Sequence, residues 1–351
     1  MLCALLLTQL GSLIAPAYAC GCGAMVPSRQ ATMGVDRETS VVRWDGATEE
    51  IVMRFTVNGD AREAAWIMPV PGRADVELGD PGLFGELDEL TAPVVRTRYY
   101  FWPRDGDWPF ALGDDTSAGA PPPADGGPPV GVVGRERLGD FDVARLTATD
   151  PGALRDWLDT NGFDLPADLA SGLQPYVDQE WEYVAVRLAP EEKGAVLGGT
   201  LDPLRLTFDS DRLIYPMRLS GLADQPQSLG LYVLADHRME PRDAIGGDAP
   251  EIRFAGRVSP ADAPALGKLT DGEPVFLTAI DQYFPEPERI DADHELRATA
   301  EDTPYQQATY DDALRTFGGV PAWLATVGAV FVVLILLVVG RAVFRVRRRA
   351  G

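Results

Sequence analysis

The sequence predicts a mostly-β, α+β fold of antiparallel sheets with two or three short helices, followed by one C-terminal transmembrane helix. Three observations predict it. Short runs of alternating or β-branched residues recur along the chain, bounded by Asp-Gly, Asn-Gly and proline. Helical periodicity interrupts them too rarely for a parallel doubly wound sheet. Near the end, Ala322 to Gly340 is an uncharged run, AWLATVGAVFVVLILLVVG, followed at once by arginines.

Residues 1–19 read as a signal peptide. Leu2 to Ala15 is short and apolar, and Ala17-Tyr18-Ala19 puts small residues where a signal peptidase reads them. No Lys or Arg precedes the apolar run, so the leader is a weak one or the true start lies upstream. An uncleaved membrane segment is opposed by Pro16 and by the shortness of the run. Cleavage after Ala19 leaves Cys20 and Cys22 at the mature terminus, since Cys3 departs with the leader. Thiols outside the cytoplasm tend to be oxidised, so a disulfide within or between chains is the favoured fate. A soft metal such as copper, held with Met25, and lipidation of Cys20 are alternatives.

Residues 20–290 form the extracytoplasmic α+β domain, long enough for one large domain or two lobes. Val41 to Trp44 is a strand closed by the Asp45-Gly46 turn. Ile51, Met53, Phe55 and Val57 alternate with polar or smaller residues, the period of a half-buried strand. Asn58-Gly59 is expected to turn a hairpin into a returning strand over Ala64 to Val70. Pro81 to Leu90 is a short helix with Asp80 as cap and Leu83, Phe84, Leu87 and Leu90 on one face. Val94 to Trp102 is a further strand, and its aromatics Tyr99, Tyr100, Phe101 and Trp102, with Trp108, are dense enough to suggest a carbohydrate or peptide platform, although such clusters more often lie in a sheet core.

Gly113 to Gly131, rich in Pro and Gly, reads as a flexible loop. Val130 to Arg137 and Phe141 to Leu146 form a hairpin beyond it. Asp150-Pro151 starts a helix that buries Leu154, Trp157 and Leu158 and ends at Asn161-Gly162. Pro166 to Tyr176 is a second helix. Strands follow at Trp181–Leu188, Leu204–Phe208, Leu213–Leu219, Leu229–Ala235, Ile252–Gly256 and Val275–Ile280.

Residues 291–319 are polar and acidic and read as a stalk. Residues 320–340 are the spanning helix, because about twenty apolar residues cross a hydrocarbon core of about 30 Å. Trp323 suits the outer headgroup zone. Arg341, Arg345, Arg347, Arg348 and Arg349, in the basic tail 341–351, favour the cytoplasm. A buried core helix is the competing reading, but such a helix rarely lacks any polar face. Ala322, Ala325 and Ala329 form a small-residue stripe, more readily tolerated in lipid than used for dimerisation.

The formal net charge is −22, and removing the five tail arginines leaves −27 for the ectodomain. So acidic a surface repels nucleic acid and anionic lipid headgroups and favours solubility, divalent cations or basic partners. Lysine is confined to Lys193 and Lys268.

Several stretches resemble one bacterial family, domain-of-unknown-function family 2330. They are Ala19-Cys20-Gly21, the segment Trp66 to Pro71, Trp157-Leu158 to Pro166, Asp202 to Phe208 with Tyr215 to Leu219, and Tyr232 to Arg238. The resemblance spans about Cys20 to Ile290. It implies a secreted or membrane-anchored protein and brings no activity or site residues with it.

No catalytic set is legible. His237 follows a strand within Asp236-His237-Arg238, where an acid beside an imidazole is what a general base needs. Neighbours on a strand point to opposite faces, so Asp236 would not orient it. His294 falls in the stalk and is expected to be solvated. The mature chain has no Gly-x-Ser-x-Gly elbow, no zinc spacing of His and Cys, and no phosphate-binding glycine loop. Asp202, Asp209 and Asp211 are the weak candidates for calcium, with a plain hairpin turn as the commoner use of such acids.

The function expected is a single-pass type I surface protein whose ectodomain is a binding or structural module. Its partners would be membrane lipid and another surface protein or cell-wall component. A carboxylate-based cell-wall or glycan hydrolase and a calcium-dependent adhesion module are the alternatives.

Overall fold

The computed structural model describes residues 18–20, 23–28, 31, 33–104, 107, 137–138, 141–146, 151–189 and 195–349. It falls into two compact units. Residues 1–92 with 130–307 form a body, and residues 93–129 with 308–351 form an anchor unit.

The body opens with β1 (Tyr18–Cys20), β2 (Gly23–Pro27), β3 (Met33–Trp44), β4 (Thr48–Gly59), β5 (Ala64–Val70), β6 (Asp75–Leu78) and α1 (Leu83–Leu90). The next strand, β7 (Val94–Tyr100), belongs to the anchor unit. The body resumes with β8 (Arg137–Leu138), β9 (Phe141–Leu146), α2 (Pro151–Thr160) and α3 (Ala167–Asp178). There follow β10 (Glu182–Leu188), β11 (Gly199–Thr200), β12 (Leu204–Asp209), β13 (Ile214–Tyr215) and a 3-10 turn over Arg218–Leu222. The body ends with β14 (Gln227–Ala235), β15 (Met239–Pro241), β16 (Glu251–Val258), α4 (Pro264–Leu269), β17 (Val275–Phe284), β18 (His294–Ala298) and β19 (Tyr305–Gln306).

Two large sheets result, mostly antiparallel. One has the order β1-β2-β5-β10-β9-β8; the other runs β19-β16-β17-β14-β3-β4-β12-β6, with β11 on β4. Only β14 and β3 pair in parallel within them. A small third sheet sets β18 between β13 and β15.

The burial pattern explains the layering. Trp66, Met68, Val184 and Val186 of the first sheet share one core with Ile51, Met53, Phe55 and Leu206 of the second. The outer face of the first sheet (Ala65, Ile67, Tyr183, Ala185) packs on Leu154 and Leu158 of α2 and Leu169 and Leu173 of α3. The outer face of the second (Val41, Val52, Tyr232, Leu234) packs on Leu83, Phe84 and Leu87 of α1 and Leu266 and Leu269 of α4. The body is thus four layers, helix–sheet–sheet–helix. β5 is buried along its whole length because both its faces are covered, which is why AAWIMPV does not alternate.

Three expectations fail locally. Asn58-Gly59 makes no hairpin: β4 runs through it to pair Gly59 with Met33, and β5 joins the other sheet. Leu213–Leu219 is not one strand, because after Ile214–Tyr215 the chain turns at Pro216 into the 3-10 segment. His294 is not solvated but 1 % exposed, as the first residue of β18, so this part of the expected stalk is packed into the body. The loop 113–131 lies outside the described residues, as do Cys22, Trp108 and Asp150, and only the backbone of Cys20 is described.

The anchor unit pairs β7 in parallel with β20 (Ala308–Leu314). A hairpin of β21 (Thr316–Phe317) and β22 (Val320–Pro321) turns at Gly318 and Gly319, with φ of +58° and +84°. It leads into α5 (Ala322–Arg349), 28 residues with mean hydropathy 2.8 in its most apolar window, 6 % of which is buried. That helix is long and apolar enough to span a membrane. It does not stop at Gly340; the tail arginines continue the same helix, with Arg348 over the Phe344 ring at 5.1 Å. Tyr99 and Trp102, expected in a core, are 60 % and 66 % exposed.

Candidate functional site

Two adjoining depressions in the body, of about 380 and 290 Å³, share Arg212 and Arg242 and make one groove. One wall is the β3–β4 turn. Asp45 Oδ1 accepts the amides of Ala47 at 3.0 Å and Thr48 at 2.8 Å, and these bonds hold its carboxyl below the usual carboxylate range. Gly46 takes φ of +97°, which the tight turn requires. The Trp44 indole donates to the Ser210 carbonyl at 3.4 Å, which sets Asp211 and Arg212 beside this turn.

The other wall is the crossing from β14 to β15, together with β18. There His237 Nδ1 lies 3.0 Å from Asp302 Oδ2, while Asp302 Oδ1 accepts the Arg238 amide at 2.8 Å. That amide, and then His237, holds the Asp302 carboxyl low. Leu213, Met239 and Leu296 form an apolar floor.

At the shared centre, the Glu295 carboxylate sits between Arg212 at 3.7 Å and Arg242 at 3.2 Å. Both arginine side chains are about half-exposed, and each guanidinium has further donors besides the one that meets Glu295. Arg297 pairs with Glu240 at 2.9 Å. The inner end is locked by Asp293. Its Oδ1 accepts the Tyr176 hydroxyl at 2.6 Å and the amides of Met217 and Arg218, and its Oδ2 accepts Arg218 Nε at 3.0 Å. Burial, then the Asp293 charge, pushes the Tyr176 phenol far up, so it acts only as a donor.

Two buried titratable groups flank this region. Glu49 is fully buried and accepts the Ile214 amide at 3.2 Å, and burial pushes its carboxyl well above the usual carboxylate range. His294 is lowered to about 4 by burial, which outweighs Asp243 and Asp293 nearby.

Chemically, the groove offers guanidinium donors, carboxylates and one carboxylate-backed imidazole. No Ser, Thr, Cys or Lys is among its lining residues, so carboxylates and the His237 imidazole are the reactive side chains it offers. The partner of His237 is Asp302, not its neighbour Asp236.

The sequence-predicted acids do not converge. Asp202 and Asp209 flank β12, whose five steps span about 17 Å, too far to share one ion. Asp211 alone reaches the groove. Among the described residues no three His, Cys, Asp or Glu side chains are gathered as a metal site. Sequence reasoning missed Arg212, Arg242, Glu295 and the Arg218–Asp293 pair. The available signal was that two family-like stretches, Tyr215 to Leu219 and Tyr232 to Arg238, both border the groove.

The profile of a bacterial family described as "Uncharacterized protein conserved in bacteria (DUF2330)" matches residues 16–297. No curated protein matches the chain. Among solved structures, the crystal structure of baculovirus P35 is similar at 10 % identity, covering 77 % of this chain and 97 % of that one, with a TM-score of 0.33. That likeness is too slight to bear on fold or function.

Proposed function

The chain belongs to the bacterial DUF2330 family, and from that premise we propose that it is a single-pass protein of the cell membrane. The body faces outward, the arginine tail faces the cytoplasm, and the body is a binding module that works through the arginine-lined groove. The observation that carries the reading is α5: its apolar surface lies exposed along the helix, and its arginines gather at one end only. Trp323 at the other end suits the outer headgroup zone. An apolar leader over residues 1–19 agrees with export of the body.

The ligand class follows from the groove. Arg212 and Arg242 each make one contact to Glu295 and keep other N–H donors for a carboxylate from outside. The −27 ectodomain disfavours polyanions such as nucleic acid at long range. A cell-wall peptide or glycan carrying isolated carboxylates fits both conditions.

The test uses the full chain in lipid nanodiscs, titrated with carboxylate-bearing cell-wall fragments. Replacing Arg212 and Arg242 together by alanine should weaken binding at least about tenfold, since each charge-assisted bond contributes about 1.5–3 kcal/mol. Unchanged binding would remove the groove from the account, and robust turnover of a wall substrate would sink the binding-module reading.

A further inference from the structure

We propose that the end of the β7–β20 ribbon beside α5 is a lipid-contacting collar, seated in the headgroup layer of the bilayer that α5 crosses. The inference rests on the membrane-anchored reading above and adds a second contact with the membrane to it.

The first observation is exposure. Tyr99, Trp102 and Phe317 are 60 %, 66 % and 60 % exposed, although a folded domain normally buries such side chains. Tyrosine and tryptophan prefer the membrane–water interface, where the ring meets acyl chain and the polar atom meets headgroup.

The second observation is position. The Arg315 amide donates to the Tyr100 carbonyl at 2.9 Å, and the Ala322 amide donates to the Arg315 carbonyl at 2.7 Å. Two successive hydrogen bonds thus connect the aromatic end of β7 to the first residue of α5. The β21–β22 hairpin lies between them in sequence and holds Phe317 opposite Val320, both exposed. Wherever Ala322 enters the interface, these aromatics lie within a few residues of it.

The third observation is charge. Outside α5 the anchor unit carries Arg96, Arg98, Arg104 and Arg315 against Asp105, Asp107, Asp114, Asp115, Asp125, Asp311 and Asp312, so it holds only a small part of the −27 of the ectodomain. Arg98 and Arg104 both bind Asp312, at 2.7 and 2.6 Å, which holds Arg98 over the Tyr310 ring and Arg104 over the Tyr100 ring. The guanidinium N–H groups that Asp312 leaves over can donate to a phosphate headgroup.

The strand pairing gives a fourth argument. A two-stranded ribbon is marginal in water unless a face is covered. The interface adjoining α5 supplies that cover without a further protein.

The full chain reconstituted in vesicles of phosphatidylcholine and phosphatidylglycerol, with bromine on the upper acyl carbons, tests this. Bromine quenches only tryptophans in contact with lipid. Trp102→Phe and Trp323→Phe should each remove a comparable share of the quenchable emission, and iodide in the water should not reach Trp102. Loss confined to Trp323→Phe would overturn the collar and leave the anchor standing. Loss in neither variant would overturn the anchor itself. Protection of Trp102 from iodide without bromine quenching would assign the cover to protein and overturn the lipid assignment.

Discussion

In the body, Trp66, Tyr176, Tyr215 and Tyr232 are fully buried, and the three tyrosine hydroxyls have internal partners, such as Asp293 for Tyr176 and Asp88 for Tyr232. In the anchor unit, Tyr99, Trp102, Tyr310 and Phe317 each leave more than half their surface exposed. The residue types are the same, so intrinsic hydrophobicity does not separate the two sets. The difference lies in the surroundings each unit provides. Among the described residues the body has two large sheets, a small third one and four helices with which to cover a ring, whereas the anchor unit has two two-stranded pairs and one apolar helix. Among the described Tyr, Trp and Phe residues outside α5, exposure above one half is confined to the unit that carries the apolar helix, and Tyr283 and Tyr305 of the body stay below it at 47 % and 45 %.

The largest expected effect breaks this comparison directly. Trp66→Ala opens a cavity between the two sheets and should cost about 4 kcal/mol of stability, read as a large fall in the denaturation midpoint of the body. Trp102→Ala should leave that midpoint unchanged, and an equal fall in both variants would contradict the contrast.

The next effect is a pH dependence at His294. Its folded pKa, about 4, lies below the unfolded value near 6.5. The native state therefore binds fewer protons between these values. Stability is intact above pH 6.5 and falls as pH drops toward 4, by roughly 3 kcal/mol in all at 1.36 kcal/mol per unit. His294→Gln should flatten that slope in urea titrations at successive pH values; a slope that persists would assign it to other groups.

Asp293→Ala removes the acceptor that unites α3, the 3-10 turn and the segment before β18. A loss of about 2 kcal/mol is expected, below the usual figure for a buried pair because a third of Arg218 is exposed. Asp293→Asn should lose less, since one oxygen remains as acceptor. Equal losses would show that the charge, not the hydrogen bonds, holds the groove's inner end.

Glu49 gives a change with the opposite sign to His294. Its folded pKa is raised, so its contribution is fully present below pH 4.5 and is lost as pH rises. Glu49→Gln should be close to neutral in acid and stabilising at neutral pH. A variant that is destabilised equally at both would show that burial does not raise this carboxyl.

Much of the body was legible because its signals are local. The alternation in Ile51 to Val57, the Asp45-Gly46 turn, the apolar face of Leu83, Phe84 and Leu87, and the left-handed Gly162 all depend on neighbours in sequence. Failures occur where a local signal competes with a distant partner. Asn58-Gly59 has turn chemistry, but pairing with Met33 and Gly34 keeps it in β4. Tyr99 to Trp102 reads as core, but it lies in a unit without one. The groove was illegible for the same reason: Arg218 meets Asp293 across 75 positions and His237 meets Asp302 across 65. No spacing rule reaches that far. The spanning helix is the opposite case, since its length and lack of charge are properties of one continuous segment.

Topology is the claim on which the account turns, and one measurement addresses it. A reporter fused after Gly351 and active only in the cytoplasm, read in intact cells beside protease treatment from outside, reports both ends of the helix at once. The account predicts an active reporter and a body trimmed from the cell exterior. A silent reporter, or a body protected until the cells are broken, would contradict it.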